Sequence, residues 1–233
     1  MGKRGDFFIR KGASLVGGSR MKGHSFTYNR SDGPSLTLVV KGVHQEHPPP
    51  LRQGLWLLEL EVVQPDGKTR PFCSLDPEGN RLSIPYPLAS AAEGYRFTCS
   101  SGANGKCLRW GYQPWDSPGT GIQLANFHRA CIHLLRADYG GDGRSWTQAG
   151  EVVDVSDSLG ILKPEPGFVF EAGWSEMGAI CIAQPRLLDT TSFEHIAKEI
   201  PRLAGRLGPE KCTETKARRL GAILFSRRKP QID

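Results

Sequence analysis

Apolar positions along the chain fall into short runs broken by Gly, Pro and Asp, with one long amphipathic stretch between them. Leu36–Val40 is apolar and β-branched and reads as a strand. Leu55–Val63 and Lys68–Cys73 flank Pro65-Asp66-Gly67, the pattern of a β-hairpin around a tight turn. Tyr95–Cys99 predicts another short strand. Ser101–Trp110 predicts a short helix that stops before the turn Gly111-Tyr112-Gln113-Pro114-Trp115. From Gly121 to Ala137 the period changes: Leu124, Phe127, Cys131, Leu134 and Leu135 share one helical face, with Arg129, His133 and Arg136 off it. Thr120 and Gln123 have the spacing of a capping box at its start. Gly140-Gly141-Asp142-Gly143 ends it, Gly being the residue that tolerates a left-handed cap.

Beyond that helix, Glu151–Val155 reads as a strand. Phe168–Trp174 and Ala179–Ala183 form a second hairpin around Ser175-Glu176-Met177-Gly178. Thr191 and Glu194 predict a short capped helix ending at Pro201, and Gly221–Phe225 a closing strand. Because neighbouring strands are joined by tight turns, the expected fold is α+β. It is a single domain of mostly antiparallel sheet, with two or three short helices packed on it. Residues 1–34 read as short extended pieces between turns or as a Gly/Ser-rich arm. The domain body is then 35–226, and 227–233 is a basic tail.

With 28 glycines and 17 prolines in 233 residues, composition supports many turns and short strands. A chain this long buries roughly 70–75% of its unfolded surface, so it does not need cross-links merely to own a core. No apolar run approaches the roughly 18 residues of a membrane span. The first fifteen residues start basic but lack an apolar stretch and a small-residue cleavage site, so they do not read as a signal peptide. The protein therefore stays inside the cell, or an export signal was removed or lies upstream. The net charge of +6 is uneven: nine Lys and Arg against two Glu lie between Arg202 and Lys229, and the rest is near neutral. A basic run of this kind is a solvated face or an anion-binding segment; no aromatic-rich groove or docking motif accompanies it to favour nucleic acid.

Six cysteines, Cys73, Cys99, Cys107, Cys131, Cys181 and Cys212, form no CxxC and match no zinc module. In an oxidising compartment all six are candidates for three disulfides, each contributing roughly 2–4 kcal/mol, with fifteen possible pairings. Cys131 on the apolar helix face and Cys181 in a strand would equally suit reduced, buried thiols.

The stretch Phe97-Thr-Cys-Ser-Ser-Gly-Ala-Asn-Gly-Lys-Cys-Leu-Arg-Trp-Gly-Tyr-Gln-Pro-Trp115 resembles the opening signature of the ADYC domain family. The resemblance continues through Ala130-Cys131, Arg136-Ala-Asp-Tyr-Gly-Gly-Asp-Gly143, Val153-Asp154 and Leu159-Gly160-Ile161. It ends with Phe170-Glu-Ala-Gly-Trp174, Gly178-Ala-Ile-Cys181 and Gly221-Ala-Ile-Leu-Phe225, covering about residues 12–226. It implies a bacterial, mostly exported or lipoprotein-like protein of a kind frequent in myxobacteria. It lends no catalytic residues, since none is established for the family. By resemblance the location is periplasmic, cell-surface or secreted; the partner is unknown, with a protein or the cell envelope as the candidates. The family's motif has a cysteine where this chain has Gly140, and another before Pro-Arg-Leu, where this chain has Ile200. Two absences together imply a family bridge lost as a unit.

Three places could carry chemistry. Cys99 at a helix start is a candidate thiol nucleophile, with His128 or His133 as base and Asp138 or Asp154 as orienter; as a disulfide partner it would be inert. The run Asp138–Gly143 offers carboxylate and backbone oxygens to calcium, but lacks the spaced acids of an EF-hand loop and reads better as a helix-ending turn. Trp110, Tyr112 and Trp115 form either a binding platform or a buried corner. No motif specifies a cofactor or a metal. The expectation is a non-enzymatic structural or interaction module, with a thiol hydrolase and an anion-binding segment as its competitors.

Overall fold

The structure, a computed structural model, describes residues 7–30, 32–48, 54–87, 94–117, 119 and 121–230. The α+β character expected from the hairpins is what it has, with every strand ladder antiparallel and four α-helices among the described residues. The chain divides into two compact units, Met1–Gly111 and Tyr112–Asp233.

The first unit contains β1 (Phe8–Lys11), β2 (Ser14–Gly17), β3 (Ser25–Tyr28), β4 (Leu36–Glu46), β5 (Leu55–Val63), β6 (Thr69–Pro71), β7 (Leu82–Pro87), β8 (Tyr95–Cys99) and α1 (Ala103–Arg109). Strands β1 and β2 form a hairpin of their own. The larger sheet runs β3-β4-β5-β7-β8, with β6 also paired to β5. The Pro65-Asp66-Gly67 hairpin forms as expected, Gly67 taking φ +80° and Gln64 N–H bonding the carbonyl of Lys68. Alternation sets the inner face: Leu38 and Val40 on β4 and Leu58, Leu60 and Val62 on β5 are buried together with Phe7, Ile9 and Met21.

The edge strands of this sheet meet through their side chains. In a flat sheet, β3 and β8 would stand four strand spacings apart, roughly 19 Å, which two ring side chains do not span. Yet the Phe26 and Tyr28 rings lie 5.7 and 5.1 Å from that of Phe97. The sheet therefore curls until its edges close on an aromatic seam. Phe7 sits among them, 5.7, 5.2 and 5.4 Å from Phe26, Tyr95 and Phe97.

Strand β7 is a departure from the sequence reading, which assigned no element to Leu82–Pro87. The N–H of Ser100 bonds the carbonyl of Leu82, so alternation turns the backbone groups of residues 83, 85 and 87 away from β8. On that side β5 pairs only with Leu82 and Ser83. Pro85 and Pro87 thus occupy positions where no ladder bond is forfeited.

The second unit contains α2 (Leu124–Arg136), β9 (Val153–Asp157), β10 (Val169–Ser175), β11 (Gly178–Ile182), α3 (Phe193–Glu199), α4 (Glu214–Arg219) and β12 (Leu224–Arg228). Its sheet runs β11-β10-β12-β9, and both α2 and α4 pack on β10. Gly173 permits the second contact, since a Cβ there would come within 2.5 Å of the Ala217 methyl. Helix α2 begins at Leu124, without a side-chain bond from Gln123; Thr120, the other half of the expected capping box, lies outside the described residues, as do Pro49 and Pro50. Ser192, not Thr191, caps α3, its hydroxyl accepting from His195 N–H at 3.1 Å. The closing strand starts three residues later than expected and so takes in Arg227 and Arg228.

All six cysteines are oxidised, in three disulfides. Cys73–Cys99 lies within the first unit and Cys181–Cys212 within the second. Cys107 on α1 and Cys131 on α2 are disulfide-bonded as well, and both are fully buried in the helix faces that carry them. The alternative of reduced thiols packed as small hydrophobes therefore does not hold for Cys131 or Cys181: each is buried, but as half of a cross-link. Such a complete set is consistent with an oxidising, extracytoplasmic location. No helix among the described residues is long and apolar enough to cross a membrane.

Candidate functional site

The segment Ala137-Asp138-Tyr139 sits where α2 ends, and each of its residues has a distinct task. Ala137 takes the left-handed cap at φ 47°, the position glycine usually fills, and turns the chain off the helix. That turn aims the Asp138 carboxylate back over the following loop, where it accepts from Gly141, Asp142 and Gly143 N–H at 2.9, 3.2 and 2.9 Å. His133 Nδ1 lies 2.9 Å from the same carboxylate. Three backbone amides and one imidazole thus surround a single carboxylate. Asp138–Gly143 is therefore the helix-ending turn, organised mainly by Asp138; Asp142 contributes one bond, to Arg144 N–H at 3.0 Å.

Tyr139 points into the core, stacked on Trp174 at 5.5 Å. Its hydroxyl donates to Glu171 at 3.2 Å and accepts from Arg186 N–H at 2.8 Å. Arg186 meets Glu171 through both Nε and Nη2, at 3.1 and 2.9 Å, and its Nη1 donates to the Leu135 carbonyl at 3.2 Å. The pair is almost wholly buried, Glu171 at 0% and Arg186 at 3% exposure. Burial and the neighbouring Glu171 charge push the Tyr139 hydroxyl well above its ordinary range, so it remains protonated and donating.

The Tyr139 and Gly140 carbonyls, with those of Met177 and Ala179, accept from the Arg202 guanidinium. Arg202 thus ties the loop after α2 to the β10–β11 hairpin, and burial holds its pKa below the usual value. Its bond to the Gly140 carbonyl, at 3.1 Å, links that loop to the segment just past Ile200.

A second carboxylate repeats the Asp138 arrangement. Asp157 accepts from Leu159, Ile161 and Leu162 N–H at 2.7, 3.2 and 2.7 Å and from the Tyr112 hydroxyl at 2.8 Å. Tyr112 is fully buried and stacked on Phe127 at 5.9 Å, so of the expected aromatic platform it is a core member; Trp110 and Trp115 are half-buried. His128 is buried with Nδ1 2.9 Å from the Tyr112 carbonyl, and burial brings its pKa down to about 4.

Cys99, the candidate nucleophile, is bonded to Cys73. A disulfide sulfur supplies no thiolate. The same holds for Cys107, the other cysteine of the Phe97–Trp115 signature, so that stretch carries no free thiol. His133 turns to Asp138, and Asp154, the other suggested orienter, turns to Arg227 at 3.3 Å.

Part of the basic C-terminal run is tied to the fold, although Arg227 alone of its cations is buried. Arg227 is buried between Asp154, Ser156 and Glu214; Arg218 reaches Glu214 at 2.7 Å and lies over the Phe225 ring at 4.0 Å; Lys216 donates to the Glu210 carbonyl. Burial pulls the Glu214 carboxyl upward, but the bond from Arg218 and the charge of Arg227 hold it below its ordinary pKa. No sequence signal exposed this, since Asp154 lies 73 positions before Arg227.

In the first unit, Lys41, Glu59, Glu61, Pro71, Asn80 and Arg81 line an open groove of about 260 Å³. Sequence reasoning missed it, although alternation along β5 puts Glu59 and Glu61 on one outward face. Their partners are close: His44 at 2.8 Å from Glu59, and Lys41 at 3.6 Å and the Thr69 hydroxyl at Glu61. The groove wall is firm. Asp76 accepts from Asn80 N–H and the Ser100 hydroxyl at 2.7 and 2.8 Å, and Arg109 joins it to Glu46 and Glu78.

These features define a class: a disulfide-braced α+β protein whose characteristic polar residues bond chiefly to one another. The ADYC domain pattern matches residues 18–188, spanning parts of both units, and the chain belongs to that family. No curated protein and no solved structure matches it.

Proposed function

We propose that this ADYC domain protein works outside the cytoplasm, in the periplasm, on the cell surface or after secretion, as a non-catalytic structural or interaction module. The observation that carries the reading is the saturation of its motif: the Asp138 carboxylate, the Tyr139 hydroxyl and all six sulfurs have intramolecular partners. A reactive centre keeps at least one such group available to substrate; here they instead hold loops and core in place.

Thiol labelling and thermal unfolding test this on the full chain made in an oxidising compartment. No thiol should label in the native state, and dithiothreitol should lower the midpoint, since the loop closed by Cys181–Cys212 alone spans 31 residues, worth roughly 3–4 kcal/mol. Native labelling of Cys99, with unchanged stability on reduction and thiol-dependent hydrolysis of a peptide or ester, would establish the hydrolase instead.

A further inference from the structure

The β1–β2 hairpin has an outward face of unusual composition. Ile9 and Val16 pair and turn toward the core of the first unit. The alternate pairs, Phe8 with Gly17 and Arg10 with Leu15, turn the other way. On that side Phe8 is 40% and Leu15 56% exposed, where a solvent-facing strand would carry polar residues. The Phe8 ring lies over Gly17, where a Cβ would come within 2.5 Å of it, which accounts for the ring's placement but not for Leu15.

Charge accompanies the apolar pair. From Phe7 to Arg30 the chain has five basic residues and no acidic one. Arg30 is paired with Asp32; Arg10, Lys11, Arg20 and Lys22 are exposed and form no ion pair among the described residues. Leu15 and Phe8 exposed beside Arg10, with Lys11 at the turn and Arg20 and Lys22 exposed on the segment that follows, suit a surface that is both anionic and apolar a few ångströms deeper. A nucleic-acid backbone would use the cations and leave Leu15 in water.

We propose that this hairpin docks on an anionic phospholipid bilayer, Leu15 and Phe8 entering the interface while Arg10, Lys11, Arg20 and Lys22 meet lipid phosphates. The hairpin includes none of the motif residues, so this docking stands or falls apart from the function proposed above.

Flotation of the full chain with vesicles tests it, comparing phosphatidylcholine alone with a mixture one-third phosphatidylglycerol. Partition onto the mixed vesicles is expected at low salt, with none onto phosphatidylcholine. Each basic charge removed near an anionic surface lowers the partition about fivefold, so Arg10→Glu with Lys11→Glu should lower it by about 25-fold or more. In a second variant, Leu15→Trp, indole emission should shift to the blue on mixed vesicles. All these side chains are exposed, so an unchanged thermal midpoint certifies the variants as folded. Absence of partition at low salt, equal partition of the charge-reversed variant, or an unmoved Leu15→Trp emission on bound protein would each overturn the assignment.

Discussion

Replacing Arg186 with Met removes the cation from the most deeply buried ion pair described above. Glu171 would lose both Nε and Nη2 donors and keep only the Tyr139 hydroxyl at 3.2 Å, while the Leu135 carbonyl would lose the Nη1 bond. At 0% exposure no water replaces them. Stranding one charge of a buried pair costs about 3–5 kcal/mol, most of it the desolvation of the unpaired partner. Glu171→Leu should cost a similar amount by stranding Arg186. The double variant Glu171→Leu with Arg186→Met leaves no buried charge and should cost at least about 2 kcal/mol less than the two singles added together. The assay is urea titration followed by hydrogen exchange in the β10–β11 peptides, which reports on the second unit alone. An Arg186→Met cost below about 1 kcal/mol, or a double variant equal to the sum, would refute the idea that these groups are held charged and dry.

Two further outcomes follow from the same unit. Burial brings His128 down to about 4 from an ordinary 6.5. The unfolded chain therefore takes up the proton first as pH falls, so this contribution is present above pH 6.5 and is lost toward pH 4. Its full size is on the order of 3 kcal/mol, and His128→Asn should flatten that part of the pH dependence of urea unfolding. Within the loop after α2, Gly141 has φ +73° and a Cβ there would lie 2.3 Å from the Met177 carbonyl, whereas Gly143 at φ +92° faces open space. Gly141→Ala should cost more than about 2 kcal/mol and Gly143→Ala only about 1, as thermal midpoints will register.

What the sequence made legible was whatever nearest neighbours decide. Both hairpins, the strand at Tyr95–Cys99 and the helix on Leu124–Arg136 came from turn residues and periodicity acting over a dozen positions. The helix Glu214–Arg219 escaped because six residues are too few for a periodic signal, and its cap, Thr213, lies in a run read only for charge. Among site residues, Asp138 was noticed, but as an orienter or a calcium ligand; its bonds to three successive amides require the left-handed Ala137, which side-chain pattern does not announce. Arg202 and Arg227 looked like surface cations for a similar reason. Their acceptors are carbonyls and carboxylates brought close only by the assembled sheet. The first unit's groove is likewise a product of register, since Glu59, Pro71 and Arg81 line it together only once β6 and β7 have both paired with β5.

The aromatic seam of the first unit imposes an order of events on a chain that emerges from its N-terminus. Phe7 and Phe26 find the Phe97 ring only after some 70 to 90 further residues have been made, and closure over such separations is slow. Until then β3 offers an unprotected edge to any extended neighbour. Growth of a nascent chain, rather than its final balance of forces, is thus where this molecule is most exposed to mispairing. A delay in presenting Tyr95–Cys99 would register as aggregation before any loss of native stability could be measured.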